Sequence, residues 1–347
     1  LCYKKLSMSK KNSNVILKNC FKDFPVLSKN YSDFKTKLDK LKSDSFLIAI
    51  SGGPDSLALT ALAKAYSLSK GTKISYVLVN HNIRKNSSSE ALKVKKLLKK
   101  YKINIHILSN KKKISRNIQS EARKIRYEIL KKYCIKKNIK IILTAHNLED
   151  QVETFFIRLS RGSGLAGLSS MKPLSKISNK IKLYRPLLDT KKKVLIDISK
   201  RVFGKFFVDP SNKDTKYLRT KIRNLQKPLT NSGINYNQIL KSINNLASSN
   251  ATLEEYYNKI TKDLIKKTRG EISLSFKKFK TFNDEIKLRL INESIKKLKK
   301  NYYNLRSKKV LNLIKNLNSK NFRGATLGGC RFFIKRDNLC LKKEKIS

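Results

Sequence analysis

The chain has 347 residues, room for two domains, and 39% of them are hydrophobic, enough for an ordinary buried core. Its longest apolar runs, such as 46–50 and 139–143, are far too short to span a bilayer, and residues 1–20 hold no apolar secretory segment. Against 24 acidic residues stand 80 Lys and Arg, a net charge of +56 that favours nucleic acid over a membrane surface as the partner, since no basic amphipathic helix with aromatic anchors stands out.

Runs 46–50, 74–79, 103–108 and 139–143 read as short buried strands, with helical spacing at 57–69, 89–100 and 118–136 between them. That alternation predicts an α/β fold, a parallel twisted sheet flanked by helices, with ligands at the carboxyl ends of the strands. A helix follows at 191–203, then the turn-rich 209–214. Residues 226–267 read as a helical, lysine-rich connector. Beyond it, strands at 272–276, 325–327, 331–335 and 339–342 and helices at 284–300 and 305–317 predict a small C-terminal α+β domain. The expected organisation is an N-terminal extension (1–43), a sheet domain (44–225), the connector (226–267) and a C-terminal appendage (268–347). Cys2, Cys20, Cys134, Cys330 and Cys340 are scattered and form no CxxC pair, which argues against a zinc site or dithiol and fits free thiols in the cytoplasm.

Three strand-end loops carry the chemistry. After the first strand come Ser51, Gly52, Gly53, Pro54, Asp55 and Ser56, then a helix. Two glycines let the backbone approach an anion, and the helix that follows presents unpaired N–H groups and the positive end of its dipole. Asp55 is out of place in an anion cradle unless it helps hold a metal ion on the phosphates. A plain strand-to-helix turn with a serine cap is the simpler reading, and the whole hexapeptide in this position outweighs it. After the second strand, Asn80 leads into His81 and Arg84. After the fourth, His146, Asp150 and Glu153 follow i, i+4, i+7 spacing and are expected on one helix face. Acidic residues at a helix start are common, yet in a chain this poor in acid two carboxylates beside an anion-binding loop suggest a cationic guest. Arg123 and Arg126, and Arg158 and Arg161 ahead of a glycine-rich loop, are arginines in a lysine-rich background. A solvated basic face would account for them, while planar, bidentate contacts to phosphate or base would explain the choice of Arg.

The hexapeptide has the pattern SGGxDS and resembles that of the PP-loop (N-type) ATP pyrophosphatases. Together with VNHNIR at 79–84, EARKIRY at 121–127, AHNLEDQVETFFIRLSRGSGLAGL at 145–168, RPLL at 185–188 and DPSNKDTKYLRTKIR at 209–223, the chain is similar to the tRNA(Ile)-lysidine synthase family. A weaker likeness at 323–341 extends to that family's tRNA-binding appendage, and Asn80 stands where the family usually has Asp. The resemblance implies a Rossmann-like PP-loop catalytic domain that uses ATP and Mg²⁺. It would adenylate the wobble cytidine of tRNA(Ile) bearing a CAU anticodon, then join free lysine to carbon 2. It further implies that the loop at 51–56, with His81 and His146, holds ATP. Asp55 would hold Mg²⁺, and Asp150 or Glu153 the lysine ammonium. Arg126 would join Asp55, Asp150 and Glu153 in the catalytic set. Arg84, Arg123, Arg158, Arg161, Arg219 and Arg223 would contact the tRNA. A cytoplasmic enzyme is implied, and a homodimer is an option the sequence leaves open. The rivals are a PP-loop tRNA thiolase and a non-catalytic basic RNA-binding protein.

Overall fold

The computed structural model describes residues 21, 24–83, 86–110, 114, 118–208, 214–268, 270–299, 305, 307–319 and 321–344. Arg84, Cys2 and Cys20 lie outside the described residues, as does the turn-rich 209–213. The chain divides into two compact units, the first running to Asn244 and the second from Asn245, with the short segment Ser163–Ala166 grouped with the second.

The first unit is built on a six-stranded sheet. Its strands are β1 (Ser45–Ile50), β2 (Lys73–Asn80), β3 (Ile105–Ser109), β4 (Ile141–Leu143), β5 (Leu174–Lys176) and β6 (Lys182–Tyr184), in the order β3-β2-β1-β4-β6-β5. All pairs are parallel except β5–β6. The helices are α1 (Pro25–Asp39), α2 (Pro54–Lys70), α3 (Ser87–Lys99), α4 (Ile118–Lys136), α5 (Leu148–Leu159), α6 (Lys192–Phe203), α7 (Leu218–Asn224) and α8 (Gln226–Asn231), while α9 (Tyr236–Leu264) begins in the first unit and continues into the second. β1 shows why the sheet is covered on both sides. Alternate side chains of a strand point to opposite faces, and Phe46, Ile48 and Ile50 join one core with residues of α1, α2, α3 and α6. Leu47 instead joins Val77, Ile142 and Leu183 beneath Leu130 and Cys134 of α4. A nearly continuous apolar strand is the expected sequence for a sheet buried on two faces.

The strand order places the first crossovers on opposite sides of β1: β2 lies to one side, β4 to the other. Loops leaving β1 and β4 therefore diverge and open a crevice, the usual ligand site of an open α/β sheet.

Several elements differ from the sequence reading. Ile103 and Ile139 belong to helix ends, not strands. Ile103 N donates to Leu98 O and Ile139 N to Cys134 O, with Lys102 N bonding Lys99 O and Asn138 N bonding Ile135 O. Lys102 and Asn138 take left-handed φ of 55° and 52°. These are Schellman closures, and each isoleucine is the apolar residue that packs after the turn. The sequence set 1–43 apart, whereas Leu27, Phe34 and Leu38 of α1 are buried in the main core. The connector is not helical throughout: it breaks between α8 and α9, and 265–268 form a strand.

The second unit carries that strand, β7 (Ile265–Thr268), with β8 (Glu271–Ser275), β9 (Ala325–Leu327), β10 (Cys330–Lys335) and β11 (Asn338–Lys343). They form an antiparallel sheet ordered β7-β8-β11-β10-β9. Helices α10 (Phe276–Thr281), α11 (Asp284–Leu298) and α12 (Ser307–Leu317) contribute Phe279, Leu290, Ile295, Val310 and Leu313 to its core. No helix among the described residues is long and apolar enough to cross a membrane.

The turn from β1 to α2 is sterically fixed. Gly52 sits at φ +83°, and a Cβ there would lie 2.6 Å from Val94 Cγ2. Gly52→Ala combines left-handed strain with a clash against a packed valine, so a loss of about 1–3 kcal/mol is expected in denaturant unfolding. Unchanged stability would show that the turn has room to relax.

Candidate active site

The loop at 51–56 is organised by its two hydroxyls. Ser56 Oγ donates to Gly53 O (3.0 Å) and accepts from Ser51 N (3.2 Å), while Ser51 Oγ lies 3.2 Å from Ser56 Oγ. Gly53 N-caps α2 without a side-chain bond and Pro54 is its first residue. The remaining first-turn amides have no acceptor within the helix, so a 17-residue helix aims its positive end at the crevice. From the far side, Phe207 N donates to Gly52 O at 3.0 Å and holds the turn in place.

Asp55 stands at the mouth of this cradle. Its Oδ1 is buried with no hydrogen-bond partner. Burial pushes its carboxyl up to about 6; Lys192 opposes this, Asp150 adds to it, a hydrogen bond from Asn147 opposes it, and Glu149 adds to it. Asp55, Asn147, Glu149, Asp150 and Lys192 thus gather around one point. Among the described residues no cluster of three or more His, Cys, Asp or Glu forms a metal cage. Magnesium commonly takes one or two carboxylates and completes its shell with phosphate and water. A buried carboxylate oxygen without a donor, beside a second carboxylate, fits a magnesium ion that arrives with a nucleotide.

The helix start at α5 departs from the expected face. Asn147 is the cap: Asp150 N donates to Asn147 Oδ1 (2.9 Å) and Asn147 N to Asp150 Oδ2 (3.2 Å), a capping box. His146 precedes the cap, so it does not share a helical face with Asp150 and Glu153. Its Nδ1 lies 2.9 Å from Thr144 Oγ1, and burial holds its pKa down to about 4 despite Asp150, so the ring is neutral near pH 7. Glu153 differs more. It is 2% exposed and engages Arg223 Nε (2.7 Å) and Nη2 (3.2 Å), with Arg219 Nε 3.1 Å from Oε2. Arg219 Nη2 also donates to Thr154 Oγ1 at 3.2 Å. A buried carboxylate requires such partners, so Glu153 anchors α7 to α5 and is not presented to a cationic guest in this structure. Glu153 is the buried member, its arginines being 39% and 30% exposed, so loss of both arginines would leave a buried carboxylate uncompensated.

The other arginines divide. Arg126 Nε donates to His81 Nε2 at 3.4 Å, and burial followed by Arg126 lowers the His81 pKa to about 4. Arg123 lies over the Tyr127 ring at 5.2 Å, and Arg161 is exposed. Arg158 is committed elsewhere: Nη1 donates to Gly167 O (2.6 Å) and Ser170 O (2.7 Å), which holds the glycine-rich loop instead of a ligand. Asn80 is also structural. Its Nδ2 donates to Ser88 Oγ (3.0 Å) and its Oδ1 accepts from Asn82 N (3.1 Å), so an amide at this position satisfies both neighbours.

Sequence reasoning missed Lys192 and Phe207, and gave no role to Arg185, which it quoted only within RPLL at 185–188. Lys192 N donates to Glu149 Oε2 at 2.8 Å, tying α6 to the start of α5. Lys192 lay hidden in a lysine run, and Phe207 in a segment with no periodic pattern. Arg185, nearly buried, donates to Lys172 O (2.7 Å) and Ser175 Oγ (3.0 Å).

A consequence for stability follows from Asp55. Its folded pKa of about 6 exceeds the ordinary 3.8, so its contribution to stability is whole below about pH 4 and is lost as pH rises through 6. In magnesium-free buffer Asp55→Asn, which cannot ionise, is expected to exceed the wild type at pH 8 by at most about 3 kcal/mol. The gap should close by pH 4. An equal gap at both pH values would locate its origin outside the ionisation.

The sequence matches the model of the PP-loop domain family over residues 27–229. It is 32% identical to the tRNA(Ile)-lysidine synthase of Wolbachia pipientis wMel over 302 residues, 86% of this chain and 70% of that protein. Against the synthase of Bradyrhizobium diazoefficiens the identity is 34%, covering 75% of this chain and 74% of the relative. Against that of Orientia tsutsugamushi it is 40%, over 52% of this chain and 41% of the relative. Among solved structures, the U34-tRNA thiolase NcsA of Methanococcus maripaludis, with its [4Fe-4S] cluster, superposes with a TM-score of 0.54 at 20% identity, over 67% of this chain and 80% of the other, a likeness of fold. On these matches the chain belongs to the tRNA(Ile)-lysidine synthase family, ligases built on a PP-loop domain.

Proposed function

We propose that this protein adenylates the carbonyl oxygen on carbon 2 of the wobble cytidine in an isoleucine tRNA with a CAU anticodon, then joins the ε-amine of lysine to that carbon. The observation that carries the reading is the buried, partnerless oxygen of Asp55 at the edge of the amide cradle. Anion-seeking amides beside a cation-seeking carboxylate suit the magnesium complex of a departing pyrophosphate.

In the first step the cytidine oxygen bonds to the α-phosphorus of ATP and pyrophosphate leaves. The loop at 51–56 and the first amides of α2 hold that leaving group, and Lys192 balances Asp55 and Glu149 beside it. Asp55 would hold magnesium, which when bound would offset charge on the phosphates. In the second step the lysine Nε bonds to carbon 2, the carbon–oxygen bond breaks and AMP departs with the oxygen; the amine proton passes to water. With Glu153 engaged by two arginines, Asp150 is the carboxylate left to orient the lysine amine. Arg126, which donates to His81, and Arg123 are exposed and available to the RNA, and the +56 charge of the whole chain draws in the tRNA. Such an enzyme would work in the cytoplasm, where its tRNA and lysine are found.

A thiolase reading calls for a reactive thiol. Among the described residues Cys134 is buried in the core, its thiol pushed up to about 12, and Cys330 and Cys340 are buried in the second unit. That chemistry favours the lysine route.

Two substitutions test the roles. Asp55→Ala should cut tRNA-stimulated pyrophosphate release by about a hundredfold or more while tRNA affinity stays within about twofold. Equal turnover would remove the loop carboxylate from the mechanism. Asp150→Asn keeps an acceptor for the capping box and should raise KM for lysine by about tenfold or more. An unchanged KM would assign the amine to another group.

A further inference from the structure

The sheet ends at β3, and between its outer face and α4 lies a groove of about 590 Å³. Its lining includes His106, Ile129, Lys132, Tyr133, Lys136 and Lys137. The rings of His106 and Tyr133 sit 5.5 Å apart at 49°. The three lysines and His106 are exposed, while Tyr133 and Ile129 are half-buried. The groove thus has an aromatic and aliphatic floor and a cationic rim.

Its position links it to the active site. Arg126, Ile129, Tyr133 and Lys136 recur at intervals of three and four and so form one stripe of α4. The stripe begins at the Arg126–His81 contact and runs about 15 Å down the helix. On the strand side Ser109 is in register with Asn80, and Asn110 N donates to Asn80 O at 2.8 Å. The upper end of the groove therefore meets the loop that carries His81.

We propose that this groove binds the RNA strand flanking the reacting nucleotide, with Lys132, Lys136 and Lys137 on successive phosphates and an unstacked base against Tyr133 and His106. The proposal rests on the tRNA reading given above. Positive charge interleaved with aromatic faces is the usual composition of a single-strand binding track, since phosphates supply affinity and every base can stack. Lysines also guard sheet edges against strand pairing, but that role calls for no aromatic floor and no continuity with the site loop.

The test compares two triple variants of the full chain by binding to an isoleucine tRNA transcript with a CAU anticodon, across 50–200 mM salt. K132A/K136A/K137A should weaken binding by about tenfold or more and flatten the log–log salt slope by about 2 to 3. K93A/K95A/K96A removes the same charge from exposed positions on α3 and should shift affinity less than about twofold. Tyr133→Leu keeps a half-buried apolar side chain packed against the core and should weaken binding about fivefold with the slope unchanged. Equal effects of the two triples would mean diffuse attraction and overturn the proposal. So would an unaffected groove triple, which would give the groove to an acidic peptide strand or another segment of this chain. Wild-type pyrophosphate release separates the two levels: if tRNA stimulates it while the groove triple binds normally, the groove assignment alone falls. If tRNA neither binds nor stimulates, the tRNA reading falls and takes the groove with it.

Discussion

A helix cannot bond its own first amides, and a parallel sheet delivers several such helix starts to one edge. Here that constraint is focused at the turn from β1 to α2. Gly52 fits beneath Val94 only because it lacks a Cβ, and Phe207 N fixes its carbonyl from below. With the backbone held this tightly, Ser51 and Ser56 close the loop through their hydroxyls. The first turn of α2 is left facing the crevice between β1 and β4. The surrounding site elements are arranged around that fixed concentration of partial positive charge.

The carboxylates answer it in three different ways. Asp55 is half-buried beside the cradle, its Oδ1 wholly buried without a donor, a costly arrangement that a bound cation would relieve. Glu149 and Asp150 are used partly as architecture, one receiving the first amide of α6 and the other closing the cap of α5. Glu153 is wholly architectural in this structure, since two arginines hold it and thereby hold α7. In a chain with 24 acidic residues against 80 basic ones, such concentration of acid at one helix start marks the region as chemically distinct. Stability is spent there on groups that folding alone would not need.

Much of this was readable in the residues. Strand, glycine pair and helix announced the cradle because parallel strands buried on two faces are continuously apolar and glycines are needed where backbone meets phosphate. The expected span of α4 matches the structure because its stripe is long and uninterrupted. What failed did so for local reasons. Ile103 and Ile139 look like strand residues, but an isoleucine packing after a Schellman turn has the same local apolar signature. His146 was placed on a helix because spacing cannot show that Asn147 is the cap. Glu153 and Arg223 are 70 residues apart, and no local pattern reveals such a long-range pair. Lys192 could not be singled out against a background of lysines. The connector's last residues read as helix because a lysine-rich segment carries little pattern to distinguish a helix end from the edge strand β7.

The central claim is that the cradle activates a tRNA base for attack by lysine. The most direct measurement is incorporation of labelled lysine into isoleucine tRNA transcripts with a CAU anticodon, with ATP and magnesium present or withheld. The account predicts labelling that requires ATP and disappears when the wobble cytidine is replaced by uridine. Pyrophosphate release stimulated by tRNA without any lysine label would contradict it, leaving the adenylation step in place but assigning the second step to a different nucleophile.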